Sequence, residues 1–586
     1  VLEALGRAGT VSAQSALATA LQSRDPLTAE LAALALGRHG RRKLLLHSVA
    51  VDGLVASARR PERAVRYAAV YALSRQVVPP KTDETAVPPE LISTVRALTW
   101  SLLDKDPEIR AAAVAGLGRR LAWMPASAPL LAALADGDWR VAFEAISALA
   151  SRHSVEVAAA ARARIASCFA TGDVRAAHLV AASLSSLGAA VPSVAKHATL
   201  AAGTVAALQV ADVILAQPAA SKLPRAVVAR LQCLAQTLLQ RGGRATDYAT
   251  LMTCGGTAIA AGDRAVMVVD VIKAGVGLLT DRQRLLGVML ASADPTVQAA
   301  ALAAVDGIVA PWSTVVAALA SNYAVVVGAA SDAVDRGLEA NVADASVLAS
   351  ALLRRAATEH DPELASGLLS VIGKYTVEGG ADICSNVVAH PVVMAARTDC
   401  LAKFAAAKKV SDGTTAPPPA DVNPTSVAVA FAPGLAPWPE LVRWRLQTSR
   451  GPIEIAIDGT LAPWHAAVIR DLTQRGYYNG LRFHRFVGNF VVQGGDPTGT
   501  GWGGPGFVVP SEVGALLDGS PAQFAAGAVG FADAGKDTGG SQWFVMHARA
   551  PHLEGRYTVV GRVTAGLAAA MQLNVGDFVQ KAEILQ

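Results

Sequence analysis

A short helical pattern led by a turn residue recurs along the first four hundred residues and limits what this part of the chain can form. In most copies an aspartate leads, often through a proline, into apolar residues spaced three and four apart. Aspartate caps the free N–H groups at a helix start, and proline fits the first turn because no N–H is needed there. The pattern predicts stacked helical hairpins of about 32 to 35 residues. Copies begin at Asp25, Arg60, Asp106, Asp138, Gly172, Asp294 and Asp361.

Composition supports more than one domain and a helical first part. A chain of 586 residues is too long for one hydrophobic core. Its apolar share is 52% but its aromatic share only 5%, so Ala, Val and Leu must form most of the core, as in tightly packed helices. More than half of the aromatic residues nevertheless lie after residue 437, and a proline-rich stretch precedes them. We therefore predict an all-α region at 1–410, an extended linker at 411–439 and a second domain at 440–586.

Charge and cysteine usage exclude several classes of function. The 52 Lys and Arg residues barely exceed the 47 Asp and Glu, and no run of basic residues marks a nucleic-acid site. The five cysteines have no metal-ligand spacing, which predicts buried thiols.

Residues 307–331 carry no charge, but Pro311 and Asn322 interrupt them. Two short buried helices fit better than a membrane span.

The start of the chain leaves the compartment open. It begins at Val1, with no initiator Met and no signal-like segment. One expectation is an exported bacterial protein, periplasmic or lipid-anchored, whose leader is absent. The other is a cytoplasmic protein.

After the linker the apolar period changes from 3.6 to 2. Short alternating runs bounded by Gly and Pro indicate strands, and 463–475 reads as a helix that ends at Gly476. Many short strands with few helices predict a barrel. The runs are 443–448, 452–458, 482–487, 490–493, 528–532, 542–547 and 557–563.

Familiar catalytic patterns are missing from this second domain. Its GxGxxG match at Gly499 lies in a loop that opens no helix, which excludes a dinucleotide site. His547 and His552 lack further metal ligands, and Ser541 has no nucleophile elbow around it. We expect no cofactor and no metal.

The helical copies are similar to HEAT repeats. The segment from Asp106 to Leu117 carries the pattern D-P-x-[VI]-R-x-x-A-A-x-A-L most clearly, and the likeness is faint over 190–285. The resemblance implies an α-solenoid that binds a protein partner. We expect its Asp and Arg residues to cap helices and bridge neighbouring repeats, and none is assigned a functional role.

Two dense segments carry a more specific resemblance. FHRFVGNFVVQGGD at 483–496 and GFADAGKDTGGSQWFVMH at 530–547 closely resemble the signature segments of the cyclophilins, the peptidyl-prolyl cis-trans isomerases. The resemblance spans about residues 440–586 and implies a closed eight-stranded antiparallel barrel with two capping helices. It also implies polypeptide clients that contain proline.

The residue types suit that reaction. Rotation about an Xaa-Pro bond faces a barrier of about 18–20 kcal/mol because resonance stiffens the C–N bond. A cation that withdraws the nitrogen lone pair lowers this barrier without a nucleophile or a base. By position in the motif, Arg485 resembles the catalytic arginine, and Gln493 the glutamine that orients it and contacts the substrate carbonyl. The resemblance places Phe490, Val491, Phe544, Leu553 and Tyr557 around the proline ring, with Phe490 counted among the catalytic residues, and Ala532, Asp533 and Gln542 along the extended peptide.

Four positions depart from the usual family residues. Val491 replaces a frequent Met, Asp533 an Asn, His552 a Trp and Tyr557 a His. The lost tryptophan at the substrate-binding residue His552 implies weak sensitivity to cyclosporin. An active isomerase and a non-catalytic peptide-binding scaffold or holdase both remain open, and the complete set of Arg485, Phe490, Gln493 and Phe544 favours the first.

Overall fold

The computed structural model describes residues 1–78, 87–124, 127–191, 201–217, 221–244, 248–275, 278–386, 391–412, 434–514 and 523–585. The chain divides into two compact units, Val1–Arg244 and Ala245–Gln586. The described residues of the first unit are helical. Its α-helices are α1 Leu2–Ala8, α2 Val11–Ala20, α3 Pro26–Arg41, α4 Ser48–Ser57, α5 Arg63–Arg75, α6 Pro89–Ser101, α7 Pro107–Gly118, α8 Ala128–Ala133, α9 Trp139–Leu149, α10 Ser154–Thr171, α11 Val174–Ala190, α12 Ala202–Leu215 and α13 Arg225–Arg241.

The aspartates of the repeated pattern start helices, as predicted. The Asp106 carboxylate accepts hydrogen bonds from the backbone N–H groups of Glu108 at 2.8 Å and Ile109 at 3.3 Å, and Pro107 occupies the first turn. These bonds satisfy donors that the helix itself leaves free. The same capping is found at Asp25, Asp138, Asp173, Asp294 and Asp361.

The arginines of the pattern join one helix pair to the next. Arg110 on α7 makes two hydrogen bonds, at 2.8 and 2.9 Å, to the carboxylate of Asp136, which lies between α8 and α9. Arg66 on α5 likewise bonds Asp104 at 2.8 Å, ahead of α7. The expectation that the arginines bridge neighbouring helix pairs is confirmed for these two.

The helices of each unit pack in two rows. In the first unit α3, α5, α7 and α9 contact one another in series, while α2, α4 and α6 form a second series. In the second unit α15, α17, α19, α21 and α23 form one row, and α18, α20 and α22 form the other. The helical prediction for 1–410 is confirmed for the described residues. The helices of this part of the second unit are α14 Tyr248–Thr253, α15 Ala261–Lys273, α16 Leu279–Leu290, α17 Pro295–Leu302, α18 Ser313–Leu319, α19 Ala324–Glu339, α20 Ala345–Ala356, α21 Pro362–Tyr375, α22 Gly380–Ser385 and α23 Pro391–Asp412.

The uncharged run at 307–331 forms α18 and the first half of α19, with a break at 320–323. Two short helices are therefore confirmed there. None of the helices within the described ranges is both long and apolar enough to span a bilayer. Most of the predicted linker, 413–433, lies outside the described residues.

The prediction of buried thiols is wrong for four of the five cysteines, which are disulfide-bonded. One bond joins Cys384 on α22 to Cys400 on α23. Cys168 is the free thiol, and its burial raises its pKa to about 11. Sequence spacing did not reveal the pair because the two cysteines meet only when α22 folds back on α23.

We expect loss of this bond to loosen α22. A cross-link over a separation of 16 residues contributes about 3 kcal/mol by restricting the unfolded chain. In Cys384→Ser/Cys400→Ser, amides of α22 should therefore exchange with solvent on the order of 100-fold faster, as measured by hydrogen–deuterium exchange. Cys168→Ser, which changes an equally buried sulfur outside any disulfide, should leave α22 unchanged. Unaltered α22 exchange in the double variant would contradict the expectation.

The C-terminal part of the second unit is a strand-rich domain. Its eight strands form one antiparallel sheet in the order β3-β4-β6-β5-β7-β2-β1-β8. Its elements are β1 Leu441–Thr448, β2 Gly451–Asp458, α24 Pro463–Gln474, β3 Arg485–Val487, β4 Val491–Gly494, β5 Ala528–Phe531, β6 Trp543–Met546, β7 Val559–Ala565, α25 Leu567–Ala570 and β8 Val579–Leu585.

The core of this domain lies inside the curved sheet. Trp444 of β1 packs its ring 5.1 Å from that of Trp543 on β6 and 5.2 Å from that of Tyr478. All three side chains are almost fully buried. The alternation of buried and less buried residues along β1 and β2 follows from this packing, since every second side chain faces the core.

The predicted closed barrel is not confirmed, because the sheet is open with β3 and β8 at its edges. β3 has only three residues, too few to continue the ladder. Backbone hydrogen bonds from Phe483 N–H to Asp577 and from Val579 N–H to Leu481 join the segment before β3 to the start of β8 and the residues just ahead of it. The second of the two capping helices, which the resemblance places near 565–573, is limited to the four residues of α25, and β8 is a strand that the sequence patterns did not single out.

Candidate functional site

A second apolar cluster lies apart from the main core of the strand-rich domain. It collects six of the residues predicted to line the proline pocket or hold the peptide: Phe490, Val491, Ala532, Phe544, Leu553 and Tyr557. Phe544 forms its centre, with the Tyr557 ring 6.3 Å away at an edge-to-face angle. Phe490 and Tyr557 are only partly buried, so the cluster reaches the surface. It can therefore receive a small apolar group.

The sequence patterns missed part of this cluster. The Phe524 ring stacks on that of Phe544 at 5.6 Å and is fully buried. Met546 and Ala550 complete the same group. The only sequence signal for Phe524 is one aromatic residue in an alanine- and glycine-rich segment, which does not distinguish a pocket from a core.

Next to the apolar cluster, Arg485 and Gln493 form a polar pair. They face each other across the β3–β4 ladder, and a guanidinium N–H of Arg485 donates to Oε1 of Gln493 at 3.1 Å. Arg485 is exposed, whereas Gln493 is half-buried. The ladder therefore fixes a cation at the surface, with its charge available to a ligand.

A hydrogen bond to Gln542 fixes the side chain of Gln493. Nε2 of Gln493 donates to Oε1 of Gln542 at 2.9 Å, and Nε2 of Gln542 donates to the carbonyl oxygens of Gly501 and Gly503, each at 2.8 Å. Neither glutamine can turn without breaking bonds on both sides. The two backbone acceptors were not predicted, because loop carbonyls carry no signal in the sequence.

The loop at 496–504 is organised by a buried carboxylate. Asp496 accepts hydrogen bonds from the backbone N–H groups of Thr498 at 2.7 Å and Thr500 at 2.9 Å, and from that of Gly501. Burial alone would raise the pKa of Asp496, but these hydrogen bonds outweigh it and lower the pKa. The carboxylate thus stays ionised and holds the loop.

Ala532 and Asp533 lie on the other side of Gln542. The N–H of Ala532 donates to the backbone oxygen of Gln542 at 3.0 Å, and Asp533 follows at the end of β5. Burial raises the pKa of the Asp533 carboxyl to about 6, although Arg556 and the N–H of Gly535 favour its charged form. This carboxyl consequently changes charge near neutral pH.

His552 closes the remaining side, with its ring stacked on Phe490 at 5.6 Å and 15° between planes. The structure therefore brings all eleven predicted residues to one face of the domain.

In the part of the chain that the structure describes, no group of three or more His, Cys, Asp or Glu side chains could hold a metal ion.

Comparison with known proteins identifies this domain. Residues 443–586 match the family model described as cyclophilin type peptidyl-prolyl cis-trans isomerase/CLD. Peptidyl-prolyl cis-trans isomerase B of Bacillus subtilis is 44% identical over 132 residues, which are 22% of this chain and 90% of that protein. A peptidyl-prolyl cis-trans isomerase of Synechococcus elongatus is 38% identical over 142 residues, or 24% of this chain and 94% of the relative.

Among solved structures, a Cryptosporidium parvum cyclophilin type peptidyl-prolyl cis-trans isomerase covers 25% of this chain and 98% of its own, with 24% identity and a TM-score of 0.23. The identification rests on the sequence relatives, two of which match over nine-tenths or more of their own length. The chain belongs to the cyclophilin-type peptidyl-prolyl cis-trans isomerase family, with its isomerase domain at 443–586.

Proposed function

We propose that the protein isomerises Xaa-Pro bonds of polypeptide clients at the face formed by Arg485, Gln493 and the apolar cluster around Phe544. The observation that carries this proposal is the exposed Arg485 guanidinium, held by Gln493 beside an apolar cluster that reaches the surface. A proline ring has the size and polarity to enter the cluster. Its nitrogen would then lie toward the cation.

In this proposal the catalytic effect is electrostatic. Arg485 donates a hydrogen bond to the proline nitrogen, so that the lone pair leaves conjugation with the carbonyl and the C–N bond loses double-bond character. Gln493 holds the guanidinium and contacts the substrate carbonyl. Phe490 and Phe544 grip the ring while the preceding residue rotates. Because arginine keeps its charge at every relevant pH, no proton needs to move.

The rest of the client would run along the polar edge of the site as an extended strand. Ala532 and Asp533 directly follow β5, and Gln542 directly precedes β6 and accepts a backbone hydrogen bond from Ala532, so backbone groups and one amide are available to an extended peptide. Val491, Leu553, His552 and Tyr557 complete the walls.

The helical region is proposed to be a HEAT-like solenoid that binds a client or a fixed protein partner. The capping aspartates, the bridging arginines and the two rows of helices support the repeat assignment. Partner binding is inferred from the resemblance alone.

A two-dimensional NMR exchange experiment separates catalysis from docking. With the full chain and a short Ala-Pro peptide, exchange cross-peaks between cis and trans forms should be detectable at catalytic protein concentrations, since the free peptide interconverts only in tens to hundreds of seconds. The same peptide with alanine in place of proline is the control. Peptide line broadening without cis–trans exchange would instead establish the binding scaffold or holdase.

The Asp533 carboxyl should make client preference depend on pH. Its pKa is raised to about 6, so it is neutral and asparagine-like below that pH and negative above it. We expect peptides with Lys beside the proline to show a several-fold lower KM at pH 8 than at pH 5, and peptides with Glu there a higher one. Asp533→Asn should reduce both changes, as measured by KM for the two peptides across this range. Glu363→Gln in the same background should remove what remains, because the pKa of Glu363, which the charge of Asp533 helps to raise, is about 7. A pH dependence that survives in the double variant would assign it to another group.

A further inference from the structure

Trp502 reaches from the isomerase domain to a helix of the repeats. Both belong to the second compact unit, Ala245–Gln586. The indole lies against Gly328 on α19, so closely that a Cβ added to Gly328 would be 2.7 Å from Cζ2 and 3.1 Å from Cη2 of the ring. Real Cβ atoms do not approach this closely, so a residue larger than glycine at 328 must displace the ring.

Trp502 belongs to the loop at 496–504, and hydrogen bonds prevent this residue from moving without the rest of the loop. Its N–H donates to Oγ1 of Thr500 at 3.2 Å, and the N–H of Thr500 donates to the buried carboxylate of Asp496 at 2.9 Å. The neighbours of Trp502 are Gly501 and Gly503, whose carbonyl oxygens accept the two bonds from Gln542. A shift of the indole is therefore passed to the acceptors of Gln542.

From Gln542 the hydrogen bonds lead to the cation. Gln542 accepts from Gln493 at 2.9 Å, and Gln493 accepts from Arg485 at 3.1 Å. A continuous series of contacts and hydrogen bonds thus connects α19, through Trp502 and the two glutamines, to the guanidinium of Arg485.

A second place on the repeats lies close to the same site. Glu363 in the first turn of α21 has its pKa raised to about 7, mainly by burial and further by the charges of Asp361 and Asp533. The repeats therefore border the site both at the 496–504 loop and at Asp533.

We propose that Trp502 is a positioning residue through which α19 fixes the 496–504 loop, Gln542 and Gln493, so that isomerisation reaches its full rate only while the repeats are docked. The inference rests on the proposed roles of Arg485 and Gln493. It makes the helical region part of the catalytic apparatus of this chain, in addition to any partner it binds.

The test compares two leucine substitutions in the full chain. Gly328→Leu pushes the indole away, whereas Gly367→Leu on α21 makes the same change at an exposed position with no atom within 4 Å of its added Cβ. Leucine favours helix over glycine at both positions, so neither substitution weakens its helix. We expect Gly328→Leu to lower kcat for an Ala-Pro peptide about 10-fold with KM within twofold of wild type, because misplacing a catalytic group slows the chemical step. Gly367→Leu should match wild type.

Substitutions of Trp502 test the same proposal independently, because they remove the contact with Gly328 without introducing a steric clash. Trp502→Ala should lose kcat as Gly328→Leu does, and Trp502→Phe should recover only part of it, since the phenyl ring is shorter than the indole whose Cζ2 and Cη2 lie against Gly328. In a Gln542→Ala background Gly328→Leu should cause no further loss, because the route to Gln493 is already cut.

The outcomes are distinguishable. If Arg485→Ala lowers kcat/KM by about two to three orders of magnitude while Gly328→Leu and Trp502→Ala keep wild-type kcat, the coupling is overturned and the site stands. If Arg485→Ala keeps wild-type activity, the proposed site itself fails. A loss in Gly328→Leu that persists unchanged in the Gln542→Ala background also overturns the proposal, because the effect then travels by another path.

Discussion

Arg485→Ala should lower kcat/KM for an Xaa-Pro peptide by about two to three orders of magnitude. Removal of one donor aimed at the developing transition state typically has an effect of this size, about 3 to 4 kcal/mol. The guanidinium is exposed and donates its side-chain hydrogen bond to Gln493, so its removal should leave the fold intact. The loss should fall mainly on kcat, as measured from initial rates in an isomerisation assay of the full chain.

Two further arginine variants show whether the effect is specific. Arg485→Lys keeps the charge but not the planar fork that can bond Gln493 and the proline nitrogen together, so its activity should lie between wild type and alanine. Arg482→Ala removes an exposed arginine three residues earlier in the same segment and should behave as wild type. Equal losses in Arg482→Ala and Arg485→Ala would point to a general effect of charge.

The sequence predicted those parts of the fold that depend on neighbours along the chain. A capping aspartate such as Asp106 acts on N–H groups two and three residues away, and the alternation in β1 reflects one buried face. The strand segments were therefore placed to within a few residues. The Cys384–Cys400 bond and the open edge of the sheet were missed, since both depend on how distant segments meet.

The candidate site likewise contains residues that the sequence predicted and residues that it did not. Arg485, Gln493 and Phe544 lie in two dense segments whose resemblance to a family is local, and the structure brings them together across β3, β4 and β6. Phe524 and the carbonyls of Gly501 and Gly503 carry no such signal. The approach of Trp502 to Gly328 joins positions more than 170 residues apart, and no pattern in a single sequence can indicate it.

In the proposed mechanism the site separates two physical tasks. The apolar cluster around Phe544 would supply contact area that binds the cis and trans forms alike, which lowers KM without raising kcat. The hydrogen bonds through Gln493 and Gln542 would fix the guanidinium of Arg485, which acts on the substrate only as its amide bond twists. Substitutions in the cluster and at these hydrogen-bonded residues should accordingly separate in their effects on KM and kcat.

Gly530→Val should abolish most isomerase activity by filling the proline pocket from behind. Gly530 faces Phe544 across the β5–β6 ladder, and a Cβ there would lie 2.5 Å from both Cε1 of Phe524 and Cζ of Phe544. Two stacked rings in a packed cluster cannot both retreat, so Phe544 must move into the space that would hold the substrate ring. We expect kcat/KM to fall on the order of 100-fold, mostly through a higher KM, because the lost contacts are those of ground-state binding.

The control is Gly514→Val, which adds the same side chain to an exposed position of the domain with no atom within 4 Å of its Cβ. It should leave both kinetic constants unchanged. Gly530→Ala should lower activity for the same reason, and Phe524→Leu in that background removes one of the two clashes and gives Phe544 room to move back, so it should recover part of the loss. Retained peptide affinity in Gly530→Val would mean that the proline ring does not lie against Phe544, and the pocket would have to be sought elsewhere on the same face.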